Sequence, residues 1–307
     1  MSNNVCPRGT AWRKRHAGED RTRWSTDMKV VVLKGGDEAV PLAQCVQSGP
    51  SPSRAAGAAA LSGDGRHWAL LNVSPAVAEQ LATDARLLRH HGLPDAAVRT
   101  VVLTDAQMDH VTGLLSLRDG PPIHLYATPA VFEELTTSVP VLPMLQHYCG
   151  VHWHVIPVAG ECRTAVFHVE GQPSLEFTAV ATDGPSPRHS MHSAGPVVGE
   201  TIALAVLDLA TGQRFFCASS LASAGAMAVE WMREADCVMV GDEPDSTLSR
   251  YSPDAANDAW ALLDGVRARR KLLLAHPDGA GPQRQPAPSV MARWGLELAS
   301  DRMEIEL

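Results

Sequence analysis

Cysteine pairs of the Cys-x-x-Cys kind are missing from this sequence, as are the P-loop, the GxGxxG turn and the GxSxG elbow. The last three absences leave nucleotide binding and serine-hydrolase chemistry without their usual signatures. Six cysteines, Cys6, Cys45, Cys149, Cys162, Cys217 and Cys237, are scattered along 307 residues. In a chain of this length they read as reduced cytoplasmic thiols, not as a disulfide framework. No apolar run approaches the ~20 residues that cross a bilayer, so no membrane segment is expected. A basic excess is missing too: the net charge is −8, which argues against nucleic acid as the main partner.

The first 27 residues lack the apolar core of a secretory signal. They are basic instead, with Arg8, Arg13, Lys14, Arg15, Arg21 and Arg23 outnumbering Glu19, Asp20 and Asp27. Two readings stand: a disordered basic tail, or a chain whose true start is Met28, where "MKVVVLK" opens the first core-like strand.

What is present is a chain 45% hydrophobic and 20% charged, enough to bury a sizeable core. The apolar pattern does not break between residues 28 and 307, so one domain is expected there. Strands are expected at Val30–Leu33, His67–Val73, Thr100–Leu103, His124–Ala127, His152–Ile156, Leu175–Val180, Thr201–Leu207, Arg214–Cys217, Cys237–Val240, Lys271–Leu274 and Met303–Leu307. Gly35–Ala60 reads as a long Gly/Pro/Ser/Ala-rich loop. Helices are expected from Pro75, capped by Ser74, to His91, and at His110–Leu117, Pro129–Thr136, Ala224–Glu234 and Pro253–Val266. "LRHHG" (Leu88–Gly92) reads as a helix C-terminal turn, where histidines suit the dipole. This alternation indicates α/β layers, with sheets covered by helices.

Four strand ends carry polar loops. In "VVLTDAQMDHVTGLLSLRDG" (Val101–Gly120), an apolar strand runs into Asp105, Gln107, Asp109 and His110, and then into a helix. Asp109 and His110 are either metal ligands or a helix N-cap and a first-turn surface residue. His189 and His192, in "SPRHSMHSAG", can bind a transition metal from a loop or stand in solvent. Asp242 follows the strand of "VMVGDEPD", and His276 that of "LLLAHPDGAGP". Each signal is weak alone; together they are what several loops around one metal centre produce. Imidazole and carboxylate without thiolate suit iron(II), manganese or zinc. A further cluster, His147, His152 and His154, either lines an aromatic-binding pocket or lies on an exposed strand face with Trp153 turned inward.

"LTDAQMDHVTGLLSLRDG" (Leu103–Gly120) closely resembles the signature of the pyrroloquinoline quinone (PQQ) biosynthesis protein B family, PqqB, a branch of the metallo-β-lactamase superfamily. "SGDGRHWALLNVSP" (Ser62–Pro75), "GETIALAVLDLATGQRFFCAS" (Gly199–Ser219), "EADCVMVGD" (Glu234–Asp242) and "DRMEIEL" (Asp301–Leu307) agree with it. The superfamily loop is HxHxDH; Asp105 and Gln107 stand where its two leading histidines would be, as in the PqqB variant. The resemblance implies an αββα sandwich with a metal site along one sheet edge. It implies one transition metal, iron(II) in preference to zinc, with Asp109 and His110 as ligands and His189, His192, Asp242 and His276 as contributors. Gln107 would orient water or substrate beside Asp109 and His110. The family's CxCxxC zinc cluster is reduced here to Cys45, so the structural zinc is expected to be absent. Two roles follow: hydroxylation of the tyrosine ring in a glutamate–tyrosine-derived precursor, or non-catalytic carriage of PQQ or its precursor toward the periplasm. The implied partner is that peptide-derived precursor or PQQ, and the resemblance leaves room for a homodimer.

Overall fold

The computed structural model describes residues 27–34, 57–75, 77, 80–81, 100–184, 186–187, 189–190, 197–219, 221, 224–241, 261–263, 265–274 and 288–307. Their architecture follows from a period-2 apolar pattern with both strand faces hydrophobic, the mark of sheets covered on both sides. In β1 (Lys29–Lys34), Val30 and Val32 enter one core cluster while Val31 and Leu33 enter another. β10 (Arg214–Ala218) divides likewise, Phe215 and Cys217 to one side and Phe216 and Ala218 to the other.

The strands form two seven-stranded sheets. The first has the order β14-β1-β2-β3-β4-β5-β6, with β2 at Ala58–Ser62, β3 at Ala69–Leu71, β4 at Thr100–Val102, β5 at Ile123–Ala127, β6 at Val151–Val155 and β14 at Glu304–Glu306. The second has the order β13-β12-β11-β10-β9-β8-β7, with β7 at Thr164–His168, β8 at Leu175–Ala181, β9 at Ile202–Asp208, β11 at Cys237–Gly241, β12 at Arg270–Leu274 and β13 at Leu296–Leu298. One core cluster draws on both sheets, from Val30, Leu61 and Tyr126 to Phe177, Phe215 and Leu272, and fills the space between them. The outer face of the first sheet is covered by α1 (Met108–Val111), its 3-10 continuation Thr112–Leu117, α2 (Pro129–Thr136) and α3 (Val141–Gln146). The outer face of the second is covered by α4 (Gly225–Arg233) and α5 (Pro288–Trp294). The result is the expected αββα sandwich. No helix among the described residues is long and apolar enough to cross a membrane.

Several expectations are revised. Ala58–Ala60, placed by sequence in the long loop, opens β2 between β1 and β3. Its small side chains are buried on both faces, and ladder bonds override alanine's weak strand preference. Only Ala69–Leu71 of His67–Val73 joins the ladder. The residues before it belong to a turn in which Asp64 Oδ1 accepts from the backbone N–H of Arg66 (2.7 Å) and His67 (2.9 Å). The helix expected at His110–Leu117 begins two residues earlier and tightens into 3-10 geometry from Thr112. Of the helix expected after Ser74, Pro75 lies in a turn, residues 77, 80 and 81 are helical, and the rest, with Leu88–Gly92, lies outside the described residues; Ser74 Oγ is buried without a hydrogen-bond partner among the described residues and does not cap it. Most of Pro253–Val266 lies outside them as well. α2 spans Pro129–Thr136 as expected, and the structure adds its cap: Thr128 Oγ1 accepts from Val131 N at 3.2 Å.

Burial pushes the Cys217 and Cys237 thiols up to about 12, since a thiolate there would lose its water. Both are therefore expected to resist a thiol-alkylating reagent at neutral pH until denaturant is added, read by mass spectrometry of the labelled peptides.

Candidate functional site

At the carboxyl end of β4 the chain must bury a carboxylate, Asp105, which is 1% exposed. A buried charge persists only when paired and hydrogen-bonded. Both oxygens are met. Oδ1 lies 2.6 Å from His110 Nδ1 and accepts from Gln107 N at 2.9 Å. Oδ2 accepts from Ser219 Oγ at 2.7 Å and from Thr104 Oγ1 at 2.9 Å. Burial alone would raise this carboxyl, but the charge and hydrogen bond of His110, with the bonds from Ser219 and Gln107, outweigh it and hold the group down to about 2. Asp105 is therefore ionised, and the proton shared with His110 sits on Nδ1, which donates to the carboxylate.

The network extends one step further. Asn72, at the end of β3 with φ +57°, holds Thr104 at two points: its Oδ1 accepts from Thr104 N (3.0 Å) and its Nδ2 donates to Thr104 Oγ1 (2.9 Å), which leaves the hydroxyl proton for Asp105. Thr104 O accepts from Ile202 N at 2.8 Å, which ties in the start of β9. The ends of β3, β4 and β10 and the start of β9 thus meet around one carboxylate, a strand-end placement typical of α/β sites.

His110 is set by backbone as well. Its carbonyl accepts from Val73 N at 2.7 Å, and Gly113 N donates to Val73 O at 3.0 Å. Gly113 allows this approach, because a Cβ there would fall 2.1 Å from Ser74 O. On the far side of the ring Gly57, at φ +106°, would place a Cβ 2.9 Å from His110 Nε2. The backbone at Gly57 therefore borders His110 Nε2.

Of the sequence-derived residues, Gln107, Asp109 and His110 lie together on α1 and its N-cap. Gln107 contributes backbone: its N–H bonds Asp105 and its carbonyl accepts from His110 N at 2.8 Å. Asp109 is half-buried in the first turn. His189 lies in the segment between β8 and β9, which leaves the sandwich at the end where β9 starts beside Thr104. Two buried glutamates pin that segment. Glu134 Oε1 accepts from Ser190 Oγ at 2.5 Å, and Glu200 Oε2 accepts from Ser186 Oγ at 2.5 Å and Val197 N at 3.0 Å. His189 Nε2 is buried without a hydrogen-bond partner among the described residues. His192, Asp242 and His276 lie outside the described residues. β11 and β12, which precede the last two, run parallel to β10 and end with it on the Ser219 side. Sequence reasoning missed Asp105, Asn72, Thr104 and Ser219 as one unit; the only local signal was a polar Thr-Asp pair straight after an apolar strand.

Imidazole nitrogen and carboxylate oxygen without thiolate are donor types that suit a first-row transition metal, but among the described residues His110 does not fall in a group of three ligand atoms within 4.8 Å of one another. His110 offers Nε2 with Nδ1 anchored on a carboxylate, the usual arrangement behind a metal-bound imidazole. The Nε2 of His189, buried without a hydrogen-bond partner among the described residues, is a further candidate nitrogen.

A beta-lactamase superfamily domain model matches residues 67–276. A relative from Methylobacillus flagellatus called coenzyme PQQ synthesis protein B is 35% identical over 270 residues, 80% of this chain and 86% of its own. One of the same description from Pseudomonas putida is 33% identical over 267 residues, 81% and 86%. The crystal structure of zinc-bound PqqB from Methylobacterium extorquens superposes with a TM-score of 0.68 at 21% identity, covering 91% of this chain and 100% of that one.

Two outcomes test this site. The Asp105 carboxyl is lowered on folding from 3.8 to about 2, so it contributes stability that is fully present above 3.8 and lost as pH falls through 2. Denaturant unfolding of the native chain and of Asp105→Asn should show their stability gap closing across that window; a gap independent of pH would contradict it. Gly113→Ala should cost roughly 1–3 kcal/mol or more, as overpacking against fixed backbone does, measured as a lowered denaturation midpoint.

Proposed function

The chain belongs to the coenzyme PQQ synthesis protein B family of the beta-lactamase superfamily and serves PQQ biosynthesis, and on that basis we propose that it is a cytoplasmic iron(II)-dependent hydroxylase. Its substrate is the tyrosine ring of a glutamate–tyrosine-derived PQQ precursor. The observation that carries this reading is the Asp105–His110 pair. An ionised, fully bonded carboxylate holds the proton on Nδ1, so that Nε2 would be the nitrogen presented to a metal at the strand-end site.

His110 would hold the metal, with Asp109, His189, His192, Asp242 and His276 as the remaining candidates. An iron(II) ion with open positions supplies oxygen activation when bound. The chain's own part is positional. Ser219 and Thr104 occupy Oδ2 of Asp105, so the carboxylate cannot rotate away from the imidazole. Asp105 keeps the proton on Nδ1 and so prevents a tautomer that would put it on the ligand nitrogen. The pinned segment of Glu134 and Glu200 limits the movement of His189. Hydrolysis of the wider superfamily's kind is disfavoured, because Asp105 and Gln107 replace the imidazoles that bring two zinc ions together.

The test is anaerobic loading with iron(II), then exposure of the holoprotein and a glutamate–tyrosine-derived precursor to oxygen, with mass spectrometry for ring oxygen gain. Native protein should bind stoichiometric iron and hydroxylate. His110→Ala should lose that iron and the turnover, and Asp105→Asn should lose about 10–100-fold in iron affinity, the usual cost of removing a carboxylate behind a metal-bound imidazole. A protein that binds PQQ without iron and without turnover is a carrier, and the hydroxylase reading then fails.

A further inference from the structure

A second group of imidazoles lies on the parallel pair β5 and β6, whose register makes His124 the partner of His152 and Tyr126 the partner of His154. These four share one face. Tyr126 belongs to the core between the sheets, whereas Leu125 and Trp153 turn to the outer helical layer. Trp153 stacks on Phe132 at 3.7 Å and 11°. The sequence alternative with Trp153 inward thus holds for the tryptophan, but His154 is not on an open surface. It is half-buried at the margin of the sandwich, where β6 and β7 are the last strands of their sheets.

Glu170, in the turn between β7 and β8, reaches this margin from the other sheet. His124 Nδ1 is 3.0 Å from Glu170 Oε2 and 3.0 Å from His154 Nε2. The donor atoms of His124, His154 and Glu170 all lie within 4.8 Å of one another. A tetrahedral zinc with bonds of about 2.0–2.1 Å sets its ligands roughly 3.3 Å apart, close to both short separations.

The three side chains are also held in place. The Tyr126 ring lies 4.4 Å from that of His154 at 8°, which fixes its plane. The Tyr126 hydroxyl accepts from Glu170 N at 3.0 Å, and Thr100 Oγ1 donates to Glu170 O at 3.2 Å. The backbone of the carboxylate residue is therefore anchored to the first sheet through both its peptide groups. Without a cation, a single Nδ1 proton cannot serve a neighbouring imidazole and a carboxylate equally well. One ion at their centre satisfies all three donors.

We propose that His124, His154 and Glu170 form a second divalent metal site, of the zinc class, that clips the two sheets together at their open edge. Two imidazoles and a carboxylate with no thiolate are a zinc donor set that leaves a fourth position to water. The site is separate from the Asp105–His110 pair: His124 pairs with Thr100, which opens β4, whereas Asp105 follows the end of that strand. Its role is structural, since an ion there bridges β5 and β6 to the β7–β8 turn.

The experiment is zinc titration of the chelator-stripped full-length chain, read by bound-metal analysis and by thermal unfolding, with cobalt(II) absorption as a coordination signature. The native chain and His110→Ala should both show a zinc-dependent rise in Tm. His154→Ala and His124→Ala should each lose that rise and bind one zinc fewer than the native chain. Glu170→Gln, whose carboxylate is exposed enough to spare folding, should weaken this site about tenfold or more, at least what an outer-sphere partner costs. Equal zinc stoichiometry and equal Tm shifts in the native chain and in Glu170→Gln, His124→Ala and His154→Ala overturn the site. Loss of the shift in His110→Ala alone also overturns it, by assigning the zinc to the other centre. Failure of iron binding or turnover at His110 leaves this outcome unaffected.

Discussion

A single ionised carboxylate, removed from water, organises the strand-end loops at one end of the sandwich. Asp105 is acceptable there only because four donors reach it, from β10, from the residue before it, from the N-cap of α1 and from His110. Losing any one partner leaves a buried charge short of a bond, a penalty of several kcal/mol rather than the value of one ordinary contact. The same oxygens that demand satisfaction orient the imidazole. Stability and ligand geometry are therefore one requirement, and Asn72 and Thr104 extend it back to β3.

Much of the fold could be read from the residues because it rests on local pattern. Strands with both faces apolar, such as Val30–Leu33 and Cys237–Val240, announce a layered sheet whatever their neighbours. β2 did not, since "AAALS" carries no β-branched residue and is a strand only because β1 and β3 flank it. α3 was hidden by Pro143 inside its span, and β7 by a run too polar on one face. These are places where tertiary contacts override local preference.

The site was legible in part for the same reason. Asp109 and His110 advertised themselves by adjacency at a helix start. Asp105 looked like a substituted ligand position, and only the fold shows it as the residue that presents His110. Ser219, 114 positions away, is invisible to any local reading. His124, His154 and Glu170 come together only because β5 and β6 pair in parallel and the β7–β8 turn crosses to the other sheet. A histidine two residues from another suggests a shared strand face, but nothing in a sequence names the carboxylate that will meet it.

Gly57 has a bearing on how this family can diverge. Its missing side chain is what lets a peptide unit border His110 Nε2. His110 Nε2 is therefore walled on one side by main chain, whose shape does not vary with residue type, and not by a side chain that mutation could enlarge or recharge. Variation around this imidazole therefore has to come from its other neighbours, while the glycine holds one side constant. A side chain at position 57 would meet the imidazole itself, and at φ +106° it would also strain the backbone, so this one position sets how closely main chain can approach His110.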